Sequence, residues 1–343
     1  MKDGLNKEKT NYLMMIVVLV IAFLLPVAVH SPAYLQILIL LFFYAYLTTC
    51  WNLVGGFAGV LPLGHSAFVG IGAYTSTTLY LHYGLSPWIG MFAGGILAAV
   101  VGIIIGKPTL KLRGAYFALA TIAFGEGIRV MTENIGNIGP FLINGPRGLL
   151  IPLKGNSFSN FQFLSKVPYY YIMLVMLIIV LLITYVFSRR RMGYYLAAGG
   201  EEQEAAEALG VNVARYKLIA MALSCFLTAL AGTFYAQLML YFYPKGIMGL
   251  DLSFEIAFIA LIGGRGTIIG PVLGALLLRP VNEFTRMYLS GLLPGLHLVI
   301  FGLILIFVMI YLPRGLQEPL SRLYNWCVDK ITGASQAKGA YDV

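Results

Sequence analysis

Residues 201–217 read EEQEAAEALGVNVARYK, a polar, helix-prone stretch set between two long apolar runs of the chain. Its four glutamates cannot lie in hydrocarbon, because each charge costs on the order of 2.5–3.5 kcal/mol at the centre of a bilayer. The stretch is therefore predicted to lie in water between two membrane-spanning helices. The glutamates are Glu201, Glu202, Glu204 and Glu207.

The same stretch has the composition of a short helix. Strong helix formers follow the first acidic residues, and acids favour the positive N-terminal end of a helix. Gly210 supplies a predicted C-terminal stop. By composition alone, an ordinary solvated loop helix explains the stretch at least as well as a docking helix for a cytosolic protein. The helix formers are Ala205, Ala206, Ala208 and Leu209.

The whole chain is too apolar for a soluble domain of 343 residues, with 59% hydrophobic residues, 11% charged residues and a mean hydropathy of +0.83. We predict an all-α, polytopic protein integral to the lipid bilayer. It has about ten apolar segments, of which eight to ten span: 12–29, 34–54, 60–82, 87–106, 114–131, 168–188, 215–241, 252–264, 267–289 and 294–312. The eighth falls short of the ~20 residues that cross a bilayer, so we predict a half-helix or re-entrant piece there.

The distribution of Lys and Arg predicts the orientation. With both termini cytoplasmic and all ten segments crossing, 16 of the 23 basic residues fall on the cytoplasmic side, as the positive-inside rule favours. This topology gives a cytoplasmic N-terminus (1–11), a transmembrane domain (12–312) and a cytoplasmic tail (313–343). Within the transmembrane domain, residues 132–167 form an external loop and residues 189–214 a cytoplasmic loop.

Several classes of function are excluded by the sequence. The net charge of +9 is scattered over the ends of the spans and forms no aromatic-interleaved patch, so no nucleic-acid partner is predicted. No G-x-x-x-x-G-K-[ST] motif for ATP, no hydrolase motif and no metal-ligand spacing occurs. We therefore predict no catalytic residue, no metal site and no cofactor, and energy for any transport must come from another subunit.

Ionisable and small residues within the spans are candidates for a translocation path. Glu126 and Arg129 are three residues apart and share a helix face, so they either neutralise each other or line the path. Glu255 has no obvious local partner in the sequence. His65 is more readily explained as a hydrogen-bonded packing residue among small neighbours than as a substrate ligand. The remaining candidates are Ser66, Gly70, Gly263 and Gly264.

Two glycine-rich patterns suggest an internal repeat. Residues 55–59 (GGFAG) and 70–73 (GIGA) resemble residues 263–266 (GGRG) and 270–275 (GPVLGA). Transporters often contain repeated halves with broken helices at the substrate path, so both turns are predicted to lie near that path. Chance similarity between glycine-rich membrane sequences is the alternative.

Longer motifs carry a resemblance to a known family. Glu204, Ala205 and Ala206 followed by Gly210 resemble the E-A-A-x-x-x-G coupling signature of permease subunits in ATP-binding-cassette (ABC) importers. Residues 64–74 (GHSAFVGIGAY), 112–121 (LRGAYFALAT) and 206–217 (AEALGVNVARYK) resemble the branched-chain amino acid permease family, in particular its longer, LivM-type subunits. The resemblance covers roughly residues 35–312.

The resemblance implies a fold, a function and partners. The chain is expected to be a permease subunit in the inner membrane of a bacterium, forming a path for branched-chain amino acids with a second permease subunit. Two cytosolic ABC ATPases that bind ATP and a periplasmic binding protein complete the expected assembly. Glu204, Ala205, Ala206 and Gly210 are then the ATPase-coupling residues. Uptake of urea or short amides, or an ion-coupled carrier or channel without an ATPase, remain alternatives.

Two segments depart from the family pattern. Residues 196–200 (LAAGG) replace a basic stretch before the acidic run, so a looser hinge into the coupling helix is expected. Residues 143–145 (ING) stand where Thr-Gly-Gly is usual in the external loop. That loop is predicted either to close over the path and meet the binding protein or to serve as a plain connector.

Overall fold

The computed structural model describes residues 20–26, 31–135, 137–138 and 141–289, together with 299, 302–303, 306–307, 310–311 and 315–319. The segments predicted at 12–29 and 294–312, the N-terminus and the tail therefore lie wholly or largely outside the described residues. The predicted orientation and the full number of spans remain predictions.

Helices dominate the described residues and follow the predicted apolar segments from the second to the ninth. Several begin with a proline in the first turn, where its missing N–H has no intrahelical partner to lose. In chain order the helices are α1 (Pro32–Gly55), α2 (His65–Tyr83), α3 (Pro87–Thr109), α4 (Ala115–Asn134), α5 (Val167–Arg189), α6 (Arg191–Glu201), α7 (Gln203–Ala208), α8 (Val213–Met239), α9 (Pro244–Met248), α10 (Leu250–Gly264) and α11 (Gly270–Leu289).

Five helical segments of the described chain are long and apolar enough to cross a membrane: Pro32–Gly55, Pro87–Thr109, Val167–Arg189, Val213–Met239 and Pro244–Gly264. The last of these corrects the prediction for the eighth segment. The short helix α9 precedes α10 with only Gly249 between them in extended conformation. The combined 21 residues are long enough to cross, so the prediction that this segment is too short was wrong.

Glycine contacts bring the helices close together in two groups. In the first, α2 packs on α3 and α8, where a Cβ added at Gly72 or Gly232 would collide with the backbone of the facing helix. In the second, α10 packs on α11 through Gly263 and Gly274 in the same way. Helix α1 contacts both groups, and its Tyr46 hydroxyl donates to the Leu227 carbonyl at 2.9 Å. Small residues at crossings are typical of helix packing in membranes.

The connection between α4 and α5 adds three short strands to the predicted all-α fold, and the loop after α8 adds a fourth. Strand β1 (Asn137–Ile138) pairs with β2 (Phe141–Leu142), and β3 (Leu149–Leu150) pairs with β4 (Tyr241–Phe242), both antiparallel. Further along, Trp88 of α3 stacks on Phe161 with ring centroids 4.2 Å apart. This connection is therefore packed against the helix ends and joined to the loop after α8.

Candidate functional site

The loop between α5 and α8 folds into two helices with a sharp break between them. Helix α6 ends at Glu201, and Glu202 adopts an extended conformation (φ −145°, ψ 99°) before α7 begins. After α7, Gly210 has φ +84°, a left-handed conformation that glycine adopts at low cost. The structure thus places the helix and its C-terminal glycine where the sequence predicts them.

One face of α7 packs against the protein and the other is exposed to solvent. Ala206 is buried, and the Gln203 side chain accepts a hydrogen bond from Lys217 Nζ at 3.0 Å. Glu204, Ala205 and Glu207 are exposed, and Leu209 directly after the helix is 86% exposed. The loop therefore presents acidic groups and one unpartnered apolar side chain from a rigid base.

The looser hinge predicted at residues 196–200 is wrong. These residues belong to α6, and both glycines of the segment make close contacts. Gly199 packs against the Val213 side chain, and Gly200 lies against the backbone of Ala58 and Gly59. A side chain at Gly199 would collide with Val213, whereas a Cβ at Gly200 would make ordinary van der Waals contacts with Ala58 and Gly59 at 3.4–3.5 Å. The break in the helix lies at Glu202 instead.

The loop between α3 and α4 lies on the same face of the protein as α7. Arg113 donates to Glu204 Oε1 at 3.0 Å, and both side chains are about three-quarters exposed (73% and 75%). An exposed ion pair of this kind contributes only about 0–1 kcal/mol to stability. The ion pair is informative for another reason, because it shows that two of the segments predicted as cytoplasmic lie side by side.

The two glycine-rich turns predicted as repeats contact each other directly. The turn after α1 meets the turn between α10 and α11 through Asn52 and Gly266. Gly263 packs against Gly270 across the second turn, and Gly264 has φ +125°. The repeat itself stays a prediction, but the structure brings its two halves together at one point.

His65 is a buried packing residue, as expected. Its Nε2 lies 2.8 Å from Ser224 Oγ, whose hydroxyl donates to the Cys50 carbonyl at 2.7 Å. Because the serine proton is used there, Nε2 must carry the proton of a neutral imidazole. The cleft beside it has a cavity volume of about 10 Å³, far below the roughly 300–1,000 Å³ of a typical small-molecule site.

Ser66 and Gly70 fix α2 to the break before α10. Ser66 Oγ donates to the Met248 carbonyl at 3.0 Å and accepts from Ser253 Oγ at 2.7 Å. Gly70 packs against the Met248 side chain with no room for a Cβ. These predicted path residues therefore have structural partners at the point where α9 gives way to α10.

The ion pair between Glu126 and Arg129 is present, and a second acid joins it. Arg129 Nε donates to Glu126 Oε1 at 2.9 Å, and its terminal nitrogen bonds Glu133 one turn further along α4. Sequence reasoning missed Glu133, although its spacing of four residues from Arg129 is the signal that could have found it.

Glu255, which has no local partner in the sequence, is paired with residues of the next helix. Arg279 of α11 donates to Glu255 Oε1 at 2.7 Å, and Asn282 donates to the same oxygen at 3.1 Å. Arg279 also lies 3.9 Å from the Tyr44 ring and 3.7 Å from Glu283. Sequence reasoning missed this cluster because the partners of Glu255 lie on the next helix, more than 20 residues away.

Comparison with known proteins decides the family. Residues 33–309 match the model of the family described as "Branched-chain amino acid transport system / permease component". The chain belongs to this permease family. It is 32% identical to the high-affinity branched-chain amino acid transport system permease protein LivM of Escherichia coli (strain K12) and 30% identical to that of Salmonella typhimurium (strain LT2). Each alignment covers 93% of this chain and 77% of the relative.

A solved structure, PsaBC from Streptococcus pneumoniae in complex with Fab, aligns with 84% of the permease and 93% of its own chain. The identity is 13% and the TM-score is 0.41, so the alignment supports neither a shared fold nor a shared function. As a permease component, the chain is a multi-pass membrane protein and a transport subunit that works with other subunits and is not itself catalytic.

In the permease, few residues of α4 are buried by the rest of the described chain. It is long enough to span, yet most of its residues are exposed or half-buried, and it carries the three-residue charge cluster centred on Arg129. The side chain of Glu126 is 35% exposed and that of Glu133 24% exposed. Charged side chains avoid lipid and face protein or water, so this face of α4 needs a covering beyond the residues that the structure describes.

Proposed function

We propose that this chain is a membrane-spanning subunit of an ATP-driven importer for branched-chain amino acids in the inner membrane of a bacterium. The family match and the names of the two LivM relatives support that substrate class. We further propose that the chain forms the translocation path together with a second permease subunit.

The observation that carries the proposal is the form of α7. A short helix is anchored on one side by Ala206 and Gln203, and on its other side it offers Glu204, Glu207 and the exposed Leu209. A short helix with one apolar contact and a charged flank suits a groove on a partner protein. We assign that partner as an ATPase subunit, two copies of which would bind and hydrolyse ATP.

The proposed mechanism requires no catalytic step in this chain. Closure of the ATPases around ATP displaces α7 together with α6, and that displacement favours one of two packings of the spanning helices. Glu204 makes polar contacts with the ATPase, Ala205 allows close approach, and Gly210 sets the direction in which the chain leaves the helix.

The outer loops suit a periplasmic binding protein with acidic contact surfaces. Within the described parts of residues 135–166 and 240–249, four side chains are basic and none is acidic: Arg147, Lys154, Lys166 and Lys245. Next to them, Leu150 and Tyr241 of the paired strands β3 and β4 are exposed. Positive charge around exposed apolar side chains steers an acidic partner and fixes its orientation.

The second permease subunit is assigned to the charged face of α4. An aqueous path shared by two subunits would hydrate Glu126 and Glu133 from one side, while the partner covers the exposed apolar residues beside them. These groups then contribute to the outer half of the path, next to the external loop.

The test compares Glu204→Arg with Arg113→Gln in the assembled transporter. Glu204→Arg is expected to abolish uptake and co-purification of the ATPase subunits while membrane insertion is retained, because it reverses the charge on the docking face. Arg113→Gln removes the intramolecular partner of Glu204 and is expected to preserve both. If Arg113→Gln reproduces the loss, Glu204 acts through its ion pair; if Glu204→Arg transports normally, the coupling role is wrong.

A further inference from the structure

Asn52 joins two turns that are far apart in the sequence. It is fully buried near the C-terminal end of α1. Its Nδ2 donates to the Thr267 carbonyl at 2.7 Å, and its Oδ1 accepts from the Gly266 N–H at 2.9 Å. Both ends of the side-chain amide therefore hold the turn between α10 and α11 against the end of α1.

Glycines at the same place bring a third segment into contact. A Cβ at Gly56 would collide with the backbone nitrogen of Gly266, so no side chain fits between these turns. Gly59 has φ +68°, and a Cβ there would lie 3.0 Å from the Gly200 Cα of α6. Helix α6, the turn after α1 and the turn before α11 thus meet backbone to backbone.

We propose that this junction, formed by Asn52 with Gly56, Gly59, Gly200 and Gly266, carries displacement of the coupling loop to α10 and α11. The inference rests on the coupling role proposed for α7, which follows α6 after one residue. The glycine contacts have no side chain that could absorb movement through rotamer changes, and the Asn52 side chain is hydrogen-bonded at both ends of its amide, so the three segments shift as one body.

Movement at the junction acts on α10 and α11. Helix α10 ends and helix α11 begins at the turn that Asn52 holds. Further from the turn, the ion pair between Glu255 and Arg279 joins the two helices. The C-terminal segment also reaches this turn, because the Leu316 N–H donates to the Ile262 carbonyl at 2.7 Å. Displacement of α6 therefore tilts a helix pair that is tied together at both the turn and the ion pair.

The first test is Asn52→Ala in the complete transporter reconstituted in vesicles. We expect ATP-driven uptake per assembled complex to fall by about tenfold, within the range typical of coupling between sites. ATPase subunits should still co-purify and hydrolyse ATP, because α7 is untouched. The control is Thr49→Val, which removes a buried hydroxyl one turn earlier on α1 that bonds only Ala45 of its own helix. Equal uptake by the two variants overturns the proposal.

The second test is a tether across the junction. Cysteines replace Ala58 and Gly200 in a variant without the three native cysteines, since a Cβ at Gly200 lies 3.4 Å from the Ala58 carbonyl carbon. If the segments move as one body, uptake is the same with the disulfide formed and reduced. Loss of uptake on oxidation, recovered on reduction, means that the contact opens during transport and overturns the proposal.

The two tests distinguish a failure of the junction proposal from a failure of the coupling role proposed for α7. If Asn52→Ala does not assemble, the tether decides the outcome. If Glu204→Arg transports normally, the coupling loop itself is wrongly assigned. If Glu204→Arg loses its ATPases while Asn52→Ala transports like the Thr49→Val control, only the junction is wrong.

Discussion

Arg279 compensates two acidic side chains, one on α10 and one on its own helix α11. Its side chain is only 11% exposed and lies between Glu255 of α10 and Glu283 of α11, over the Tyr44 ring of α1. Neither carboxylate has another cation among its described contacts. Removal of the arginine therefore leaves two charges that hydrocarbon and packed helices disfavour.

We predict that Arg279→Met lowers the free energy of unfolding in detergent by about 3 kcal/mol, the cost of breaking a mostly buried ion pair. A denaturant titration of the purified permease measures this value. Combining Arg279→Met with Glu255→Gln and Glu283→Gln should restore most of the stability, because no unpaired charge remains. An Arg279→Met protein as stable as the unsubstituted permease would contradict the assigned role.

The contrast between the two charge clusters shows what sequence can predict at this scale. Glu126 and Arg129 lie three apart on one helix, so helical geometry alone predicts their contact. Glu255 and Arg279 meet only because α10 and α11 pack through Gly263 and Gly274. Likewise, the small neighbours of His65 predict that it packs, whereas its partner Ser224 lies 159 positions away and depends on the packing of α2 against α8.

At the scale of elements, the lengths of the apolar segments predict the helices well, but they predict the connections between helices poorly. Each predicted segment from 34–54 to 267–289 coincides with a helix, and the bounds of that helix lie within a few residues of the predicted ones. The hinge predicted at residues 196–200 failed because contacts with Val213 and Gly59 hold two glycines in a helix despite their low helix propensity. Strands β3 and β4 were missed because their two-residue pairing joins loops about 90 positions apart.

Gly210 provides a test of how the backbone after α7 supports coupling. At φ +84°, a β-branched side chain is strained by about 1–2 kcal/mol, although a Cβ would meet nothing within 4 Å. We predict that Gly210→Val lowers ATP-driven uptake by about tenfold, the factor that 1.4 kcal/mol represents. Gly210→Asn should retain uptake, because asparagine tolerates the left-handed conformation.

The matched control for Gly210 lies in the connection between α4 and α5. Gly155 has φ +103°, and a Cβ added there would likewise meet nothing within 4 Å. Gly155→Val therefore imposes a similar backbone strain far from α7, and uptake should be retained. Similar losses in Gly155→Val and Gly210→Val would show that strain in any loop, and not the direction of the chain after α7, limits transport.

At the scale of the whole molecule, three surfaces of the permease have different expected environments. Helix α3 exposes a stripe of purely apolar side chains that includes Ile96, as a lipid-facing helix does. The exposed part of α4 combines apolar residues with the charges around Arg129. The face with α7 and Arg113 is mostly polar, with Leu209 and Leu112 as exposed apolar side chains. Sequence predicts the sides of the membrane from Lys and Arg, but only the fold shows which helix faces are left uncovered.

Single cysteines in a variant without native cysteines test these three environments together. We predict that a membrane-impermeant thiol reagent added outside intact cells labels Val130→Cys through the water of the path, because Val130 is exposed and lies one turn from both Glu126 and Glu133 on the charged face of α4. Ile96→Cys should stay unlabelled, because a thiol in lipid does not form the reactive thiolate. Ala208→Cys should react only after the cells are opened. Labelling of Ala208→Cys from outside would reverse the orientation, and an unreactive Val130→Cys would place the charged face of α4 against lipid or a dry protein interface.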